Sequence, residues 1–298
     1  MASIPDNFLG LSGAAANYAK ARYAVLPVPY DATTSFQAGT RGGPRAIVTA
    51  SQQVELFDDE LLAEFGDAGI ATLDPLEPIM TGPEAMHEAV FAAAKRIVRD
   101  GKCLIGLGGE HSISSGLVRG VMTRHKRLSV LHVDAHADLR DQYEGTPFSH
   151  ASVMRRILDL GATIVPVGIR NFSHEEHRFM QKAGIKPLTA RYCHSNSDWI
   201  EQAVERLGET VYVTIDIDGF DPAFAPGTGT PEPGGLGWYG VTGLLRRVIE
   251  SRTVVGADVV EVMPIPGNAA TEFLAARLAY KIIAYREHAQ GQQPRRKK

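Results

Sequence analysis

Cysteine is nearly absent from this chain: there are two, Cys103 and Cys193, and neither has a CxxC partner. That argues against a disulfide framework and suits a reducing cytoplasm. Cys103 lies in an apolar run and reads as core. No apolar run reaches the roughly 18 residues of a membrane span. The N-terminal Met-Ala-Ser-Ile-Pro-Asp-Asn lacks the basic and apolar regions of a signal peptide, so the expected compartment is the cytoplasm. A surplus of positive charge is missing as well. The formal net charge is −3, which leaves no electrostatic footprint for nucleic acid or an anionic membrane. The basic block Arg295–Lys298 follows Gly291-Gln-Gln-Pro294, and residues 291–298 read as a solvated, disordered tail. No Pro/Ser-rich linker and no fixed repeat divides the rest, so residues 1–290 are expected to form a single domain.

What is present is alternation. Apolar, β-branched runs at 23–28, 70–73, 103–107, 128–134, 162–169, 211–216 and 253–262 read as strands. Amphipathic stretches at 44–51, 84–98, 114–123, 151–160, 173–182, 197–207, 238–250 and 271–286 read as helices. Thr81-Gly-Pro-Glu84 has capping-box spacing and should open the second of them. Strands apolar on both faces that alternate with helices predict an α/β fold, a three-layer α/β/α sandwich around a mostly parallel sheet. In such sheets the ligand site lies beyond the carboxyl ends of the strands.

Those ends carry the chemistry. The central run Leu128-Ser-Val-Leu-His-Val leads into Asp134, His136 and Asp138, spaced two apart. On an extended chain such side chains share a face. Two carboxylates at the end of an apolar strand need a compensating charge, and a divalent cation supplies it. Val211-Tyr-Val-Thr-Ile repeats the pattern and ends in Asp216 and Asp218. Cys103 to Leu107 ends at Gly108-Gly-Glu-His111-Ser112. A dinucleotide fingerprint would need glycine at 106, 108 and 111, and position 111 is His.

His111, Asp134, His136, Asp138, Asp216 and Asp218 make six candidate ligands on three strand ends. One catalytic zinc takes about three protein ligands, so six suit two metals with shared carboxylates. Oxygen donors mixed with imidazole point to manganese, ahead of zinc, iron, nickel or cobalt. A water between two such ions has its pKa lowered towards ~7, and metal-assisted hydrolysis is the chemistry that follows. His150, on a loop beside the ligands, is the candidate proton carrier. Asp141, Glu144, Glu232 and Glu261 add negative charge to the presumed active face, favouring a small cationic substrate such as a guanidinium over a phosphoester. Glu261 could hold a guanidinium by a bidentate contact. His174 and His177 lie three apart on a helix; such a pair can bind metal, but lone surface histidines are commoner.

The three ligand motifs together resemble the ureohydrolase family of arginase and agmatinase. The segments Tyr30-Asp-Ala-Thr-Thr-Ser35, Gly42-Gly-Pro44-Arg-Ala-Ile and Ala225-Pro-Gly-Thr-Gly-Thr230-Pro are also similar to family segments, so the resemblance covers nearly the whole chain. It implies an arginase-like sandwich with two Mn2+ per chain. The first metal would take His111, Asp134, Asp138 and Asp216, and the second Asp134, His136, Asp216 and Asp218. His150 falls where the family keeps its proton-shuttling His, and Glu261 where it keeps the carboxylate that holds the guanidinium. Asp138 is expected to serve catalysis as well as binding metal. A homotrimer or homohexamer is the assembly the resemblance implies.

The loop Leu139–His150 carries Arg140, Asp141, Tyr143 and Glu144, and is similar to the agmatinase version. Asp141, Tyr143, Glu144 and Glu261 are the candidate substrate contacts. The leading expectation is agmatine hydrolysis to putrescine and urea, which would place the enzyme in polyamine biosynthesis. Arg140 could pair with a carboxylate and leaves guanidinobutyrate, guanidinopropionate and arginine open. Met263 stands where many members have Asn, and Asn268 where Asp is common. A single-metal deacetylase-type amide hydrolase and a catalytically silent regulatory homologue are the readings from outside the family's chemistry.

Overall fold

The computed structural model describes residues 4–292. In chain order its first half contains β1 (Tyr23–Val28), α1 (Gly43–Ser51), β2 (Phe57–Asp58), β3 (Ala63–Glu64), β4 (Ile70–Thr72), α2 (Pro83–Arg99), β5 (Cys103–Gly108), α3 (Ile113–Met122) and β6 (Ser129–Val133). There follow α4 (Val153–Asp159), β7 (Thr163–Ile169), α5 (His174–Ala183), β8 (Leu188–Thr189), α6 (Ala190–Ser195), α7 (Trp199–Arg206), β9 (Thr210–Asp216), α8 (Trp238–Ser251), β10 (Thr253–Val260) and α9 (Ala270–Gln292). Strands β2 and β3 pair as a small antiparallel ribbon. The other eight form one parallel sheet in the order β4-β1-β5-β10-β9-β6-β7-β8.

Strand alternation splits the core in two. Tyr23 and Val25 of β1 pack with side chains of α1, α7, α8 and α9 on one face. Ala24, Leu26 and Val28 pack with α2, α3, α4 and α5 on the other. Both faces are therefore covered, and the expected α/β/α sandwich is what forms. Each fully buried Leu or Ile, such as Leu104 or Ile105, contributes about 1.5–3 kcal/mol.

The order also locates the site. Strands β5 and β6 are consecutive in the main sheet's chain path, yet β10 and β9 lie between them. The sheet changes its direction of growth there, and such a reversal opens a crevice at the carboxyl ends. The four strands flanking that crevice are the four that run into His111, Asp134, Asp216 and Glu261.

Two local expectations are corrected. Thr81 does not cap α2: the cap is Gly82 at φ 139°, with no side-chain hydrogen bond, and Pro83 opens the first turn. Proline fits there because its missing N–H would be unpaired anyway. The capping box forms instead on α5, where Ser173 Oγ accepts from Glu176 N and the Glu176 carboxylate accepts from Ser173 N. At the other end, α9 runs to Gln292, so Gly291 and Gln292 belong to a helix rather than to the basic tail. Arg295–Lys298 lie outside the described residues. No helix among the described residues is long and apolar enough to cross a membrane.

Candidate metal centre

Strand β6 ends at Val133, one residue before the first of its three donors. The expectation that Asp134, His136 and Asp138 share the face of one extended strand therefore fails, because the strand ends before them. Asp134 N still donates to Val167 O on β7 at 3.1 Å. Then the chain turns. Ala135 N donates to Asp218 Oδ1 at 3.0 Å and His136 N to Asp134 Oδ1 at 2.5 Å. Asp138 sits in the left-handed region at φ 53°, a conformation costly for a residue with a Cβ and common at functional sites. A turn, not an extended strand, brings His136 and Asp138 back over the strand end.

The neighbouring ends are shaped to receive them. Asp216 closes β9, and its Oδ1 accepts from Asp218 N at 3.0 Å to start a short 3-10 turn. Gly109 follows β5 where a Cβ would stand 2.0 Å from Tyr30 O, so only glycine fits. That close approach brings His111 in, and its N–H donates to Glu261 Oε1 at 2.6 Å. Glu261 is itself left-handed, at φ 61°.

Six side chains from three strand ends meet as a result. His111 Nδ1 lies 3.1 Å from Asp134 Oδ2, 3.2 Å from Asp138 Oδ2 and 3.3 Å from Asp216 Oδ2. His136 Nδ1 lies 2.9 Å from Asp218 Oδ2 and 3.6 Å from Asp134 Oδ1. The two groups share Asp134. His132, which the spacing of the motif passed over, belongs to the first group and sits 2.7 Å from Asp134 Oδ2 through Nε2. Its signal was there: it precedes Asp134 by two on the same strand face.

Burial makes these acids expensive. Burial, then Asp218 and Asp134, push Asp216 well above the usual carboxylate range. Burial and Asp134 raise Asp138, and burial and Glu110 raise Glu261. Burial raises Asp134 too, but His132, His111 and His136 outweigh it and hold the carboxyl well below its ordinary value. Among the described residues no Lys or Arg lies in ion-pair range of these Asp carboxylates.

The residues fit divalent cations. His111 Nδ1 is buried without a hydrogen-bond partner, although three carboxylate oxygens surround it. On its far side, Nε2 is 2.9 Å from Thr214 Oγ1, and Thr214 Oγ1 donates to Asp258 Oδ1 at 2.6 Å. A carboxylate only accepts, so the Thr214 hydrogen goes to Asp258 and Nε2–H donates to Thr214. Nδ1 faces three carboxylate oxygens, and although burial lowers His111, Asp134, Asp138 and Asp216 outweigh it and raise the ring well above the ordinary imidazole range; a cation among those oxygens would take the place of that proton. Thr214 and Asp258 are mid-strand residues, and nothing in the ligand motifs pointed to them.

An open cavity of about 150 Å³ lies over this cluster. His136, Asp138, Asp216, Asp218, His150 and Glu261 line its floor, and Phe36, Arg140, Tyr143 and Phe172 its mouth. Two expected substrate contacts are elsewhere. Asp141 is exposed and takes a hydrogen bond from Arg156 Nη2 at 3.0 Å, so its charge is spent on helix α4. Glu144 is exposed at the tip of the turn closed by Tyr143 and Thr146, outside the cavity wall. Glu232 accepts from Asn171 at 2.5 Å and reaches to 3.9 Å from His136 Nε2. Glu176, unforeseen, is a buried part of the wall, with both oxygens held by Leu139 N and Ser173. Met263 and Asn268 are not in the wall. His177 stacks on Phe172, and neither it nor His174 joins a metal-type cluster among the described residues.

Residues 21–284 match the family model described as arginase. The chain belongs to the arginase family. It is therefore an enzyme of the arginase/agmatinase ureohydrolase type. An N(1)-aminopropylagmatine ureohydrolase of Synechocystis sp. is 41% identical over 289 residues, covering 94% of each chain. A relative of the same name from Thermus thermophilus is 40% identical over 268 residues, covering 90% of this chain and 91% of its own. The crystal structure of the agmatine ureohydrolase of Thermoplasma volcanium superposes with a TM-score of 0.88 at 34% identity, covering 97% of both chains.

Proposed function

We propose that the chain is a two-metal, manganese-dependent ureohydrolase acting on a guanidinobutylamine unit: agmatine, or agmatine extended by an N1-aminopropyl group. The observation that carries this is the pair of donor groups sharing Asp134 at the floor of a cavity that also holds Glu261. One position would be held by His111, Asp134, Asp138 and Asp216, and the other by Asp134, His136, Asp216 and Asp218. When bound, two such ions supply a water ionised near neutral pH and an electrophile for the guanidine.

The chain's own residues do the rest. Glu261 has one oxygen on His111 N and offers the other to the guanidinium. Burial of the floor excludes bulk water from the reacting carbon and strengthens that contact. Water adds to the guanidine carbon, the bond to the alkyl nitrogen breaks, and urea and an amine leave. His150 gives the departing nitrogen its proton. Burial lowers His150 below the usual imidazole range, although Asp138 opposes the shift, so it is neutral at pH 7 and free to take a proton before giving one. For agmatine the amine is putrescine.

The cavity mouth favours the extended substrate. Phe36 and Phe172 are exposed there, and aromatic faces hold alkylammonium groups by cation–π attraction. The similarity to two proteins named for N(1)-aminopropylagmatine supports the same reading. A second reading rests on Arg140, whose guanidinium lies over the Tyr143 ring at the mouth and would suit the carboxylate of a guanidino acid. Urea release from agmatine, N1-aminopropylagmatine, guanidinobutyrate and arginine by manganese-loaded protein tests the choice. Expected is turnover of both amines, with the higher kcat/KM for the aminopropyl form. Turnover of guanidinobutyrate alone, abolished by Arg140→Ala, overturns it. Exposed Phe57, Leu62 and Tyr239 are apolar surface that the expected homotrimer or homohexamer would cover, and light scattering checks the mass.

A further inference from the structure

His150 is held by a part of the chain remote from the metal-type donors. Its backbone N–H donates to Thr33 Oγ1 at 3.1 Å, and its ring Nδ1 lies 3.4 Å from the same oxygen. Thr33 Oγ1 is 2.6 Å from Glu110 Oε1, and Thr33 N donates to Glu110 Oε2 at 2.6 Å. Ser112 Oγ donates to Glu110 Oε1 as well, at 2.5 Å. Glu110 is fully buried, so its placement on these three donors is not incidental.

Counting hydrogens settles the direction of this chain of contacts. Three donors converge on the two Glu110 oxygens, which marks Glu110 as the ionised acceptor, and an ionised carboxylate has no hydrogen to give. The single hydroxyl hydrogen of Thr33 therefore goes to Glu110, and the Thr33 oxygen meets His150 with lone pairs only. The backbone N–H takes one of them. The ring can use the other only if Nδ1 carries the hydrogen. Nε2 is then the bare nitrogen, on the edge of the ring left for the cavity that His150 lines.

We infer that Glu110, acting through Thr33, holds His150 in the Nδ1–H tautomer with Nε2 free to accept and return a proton. Thr33 and Glu110 are positioning residues in this scheme, and the inference rests on the proposed role of His150. The reversed tautomer would place a hydrogen where a lone pair is needed. It would also swing the ring away from Thr33, whose hydrogen is already committed.

The test uses an isosteric swap. In Glu110→Gln the amide can donate to Thr33, which turns the Thr33 hydrogen towards Nδ1 and favours the opposite tautomer. The comparison is made near pH ~9, well above the ordinary carboxylate range. Long-range 1H–15N spectra of 15N-histidine-labelled, Zn2+-loaded protein read the tautomer, with the His150 signal assigned by its loss in His150→Ala. Expected is Nδ1–H in the parent chain and in Thr33→Ser, and Nε2–H in Glu110→Gln. Urea release from agmatine and N1-aminopropylagmatine should fall about 10–100-fold in kcat for Glu110→Gln and Thr33→Val, a share of the ~10²–10⁴ that proton transfer supplies. KM and bound metal should stay unchanged, and Thr33→Ser should recover most of kcat. An Nε2–H tautomer in the parent chain, the same tautomer in parent and Glu110→Gln, or metal loss in Glu110→Gln overturns the inference; metal loss would mean that Glu110 acts on adjacent His111 instead. Should Glu110→Gln fail to fold, Thr33→Val carries the same readouts. Full turnover in His150→Ala would defeat the role of His150 itself, and is distinguished because the tautomer measurement needs no substrate.

Discussion

Asp58 and Asp134 are both completely buried, but their surroundings differ in kind. Asp58 faces Lys281 Nζ at 2.9 Å, and Lys281 also reaches Glu60 at 3.0 Å. Glu60 takes further bonds from Tyr285 OH at 2.5 Å and Arg246 at 2.6 Å. Burial pushes Glu60 up, but those three donors outweigh it and bring its carboxyl down to about 2. Around Asp134 the partners are imidazoles and other acids, and Asp216 and Asp138 are raised instead. A buried acid cluster with its own Lys and Arg is a structural joint, closed in the protein alone. One without them is built for a cation from outside.

The contrast can be broken by experiment. The largest effect is expected at the closed cluster: Lys281→Met leaves Asp58 buried and unpaired, and should cost about 3–5 kcal/mol in denaturant unfolding, equally with and without chelator. A chelator-dependent loss would show that the two clusters are not independent. Next is metal removal. At a metal concentration about 100 times Kd, binding adds ~2.7 kcal/mol, so chelation should lower Tm by roughly 4 °C for a domain of this size; an unchanged Tm would mean that the open cluster does not hold metal.

His87 handles burial by a third route, staying neutral. Burial, with Arg119 adding, holds it down to about 4, while Ser115 Oγ lies 2.9 Å from Nδ1. Its folded value lies below the unfolded ~6.5, so the unfolded chain binds more protons between those limits. Its contribution is intact above pH ~6.5 and is lost as pH falls towards ~4, by about 3 kcal/mol. His87→Gln should flatten the slope of Tm against pH in that window; an unaltered slope assigns the acid sensitivity to the open cluster. The smallest effect sharpens the comparison most. Asp216→Asn in chelated protein should stabilise by about 1 kcal/mol, because it removes a like charge from a crowded site, and should weaken metal binding. Destabilisation under chelator would mean that the open cluster is already satisfied.

The architecture was legible because strands covered on both faces are mostly apolar: β1 and β5 are so throughout, and β9 and β10 are interrupted mid-strand by Thr214 and Asp258. The metal-type donors were legible because a carboxylate has no reason to end such a run otherwise. What brings them together was not. The turn after Asp134 and the left-handed Asp138 are set by contacts with Asp218 and β7, over 80 residues apart for Ala135 and Asp218. Asp141 looked like a substrate contact because a loop residue shows only its charge, not the Arg156 that neutralises it from α4. Thr81 matched a cap by spacing, and the glycine after it took the position. Thr33 and Glu110 were visible as loop residues, but nothing in a linear pattern says that a hydroxyl will stand between a buried acid and a histidine.

The contact between His111 N and Glu261 spans 150 residues. Glu261 arrives on β10, which inserts between β5 and β9 in the middle of the sheet. Until that late strand threads into its gap, a growing polypeptide can pair β6 with β9, and so bring Asp134 beside Asp218, but nothing holds His111 of β5 next to them. Long-range pairing of this kind forms slowly, and a site absent from the open chain couples its ion to folding. Ion capture at the position that needs His111 should therefore be among the last events of synthesis, and a truncation before residue 253 should lose that position although it keeps all six donors.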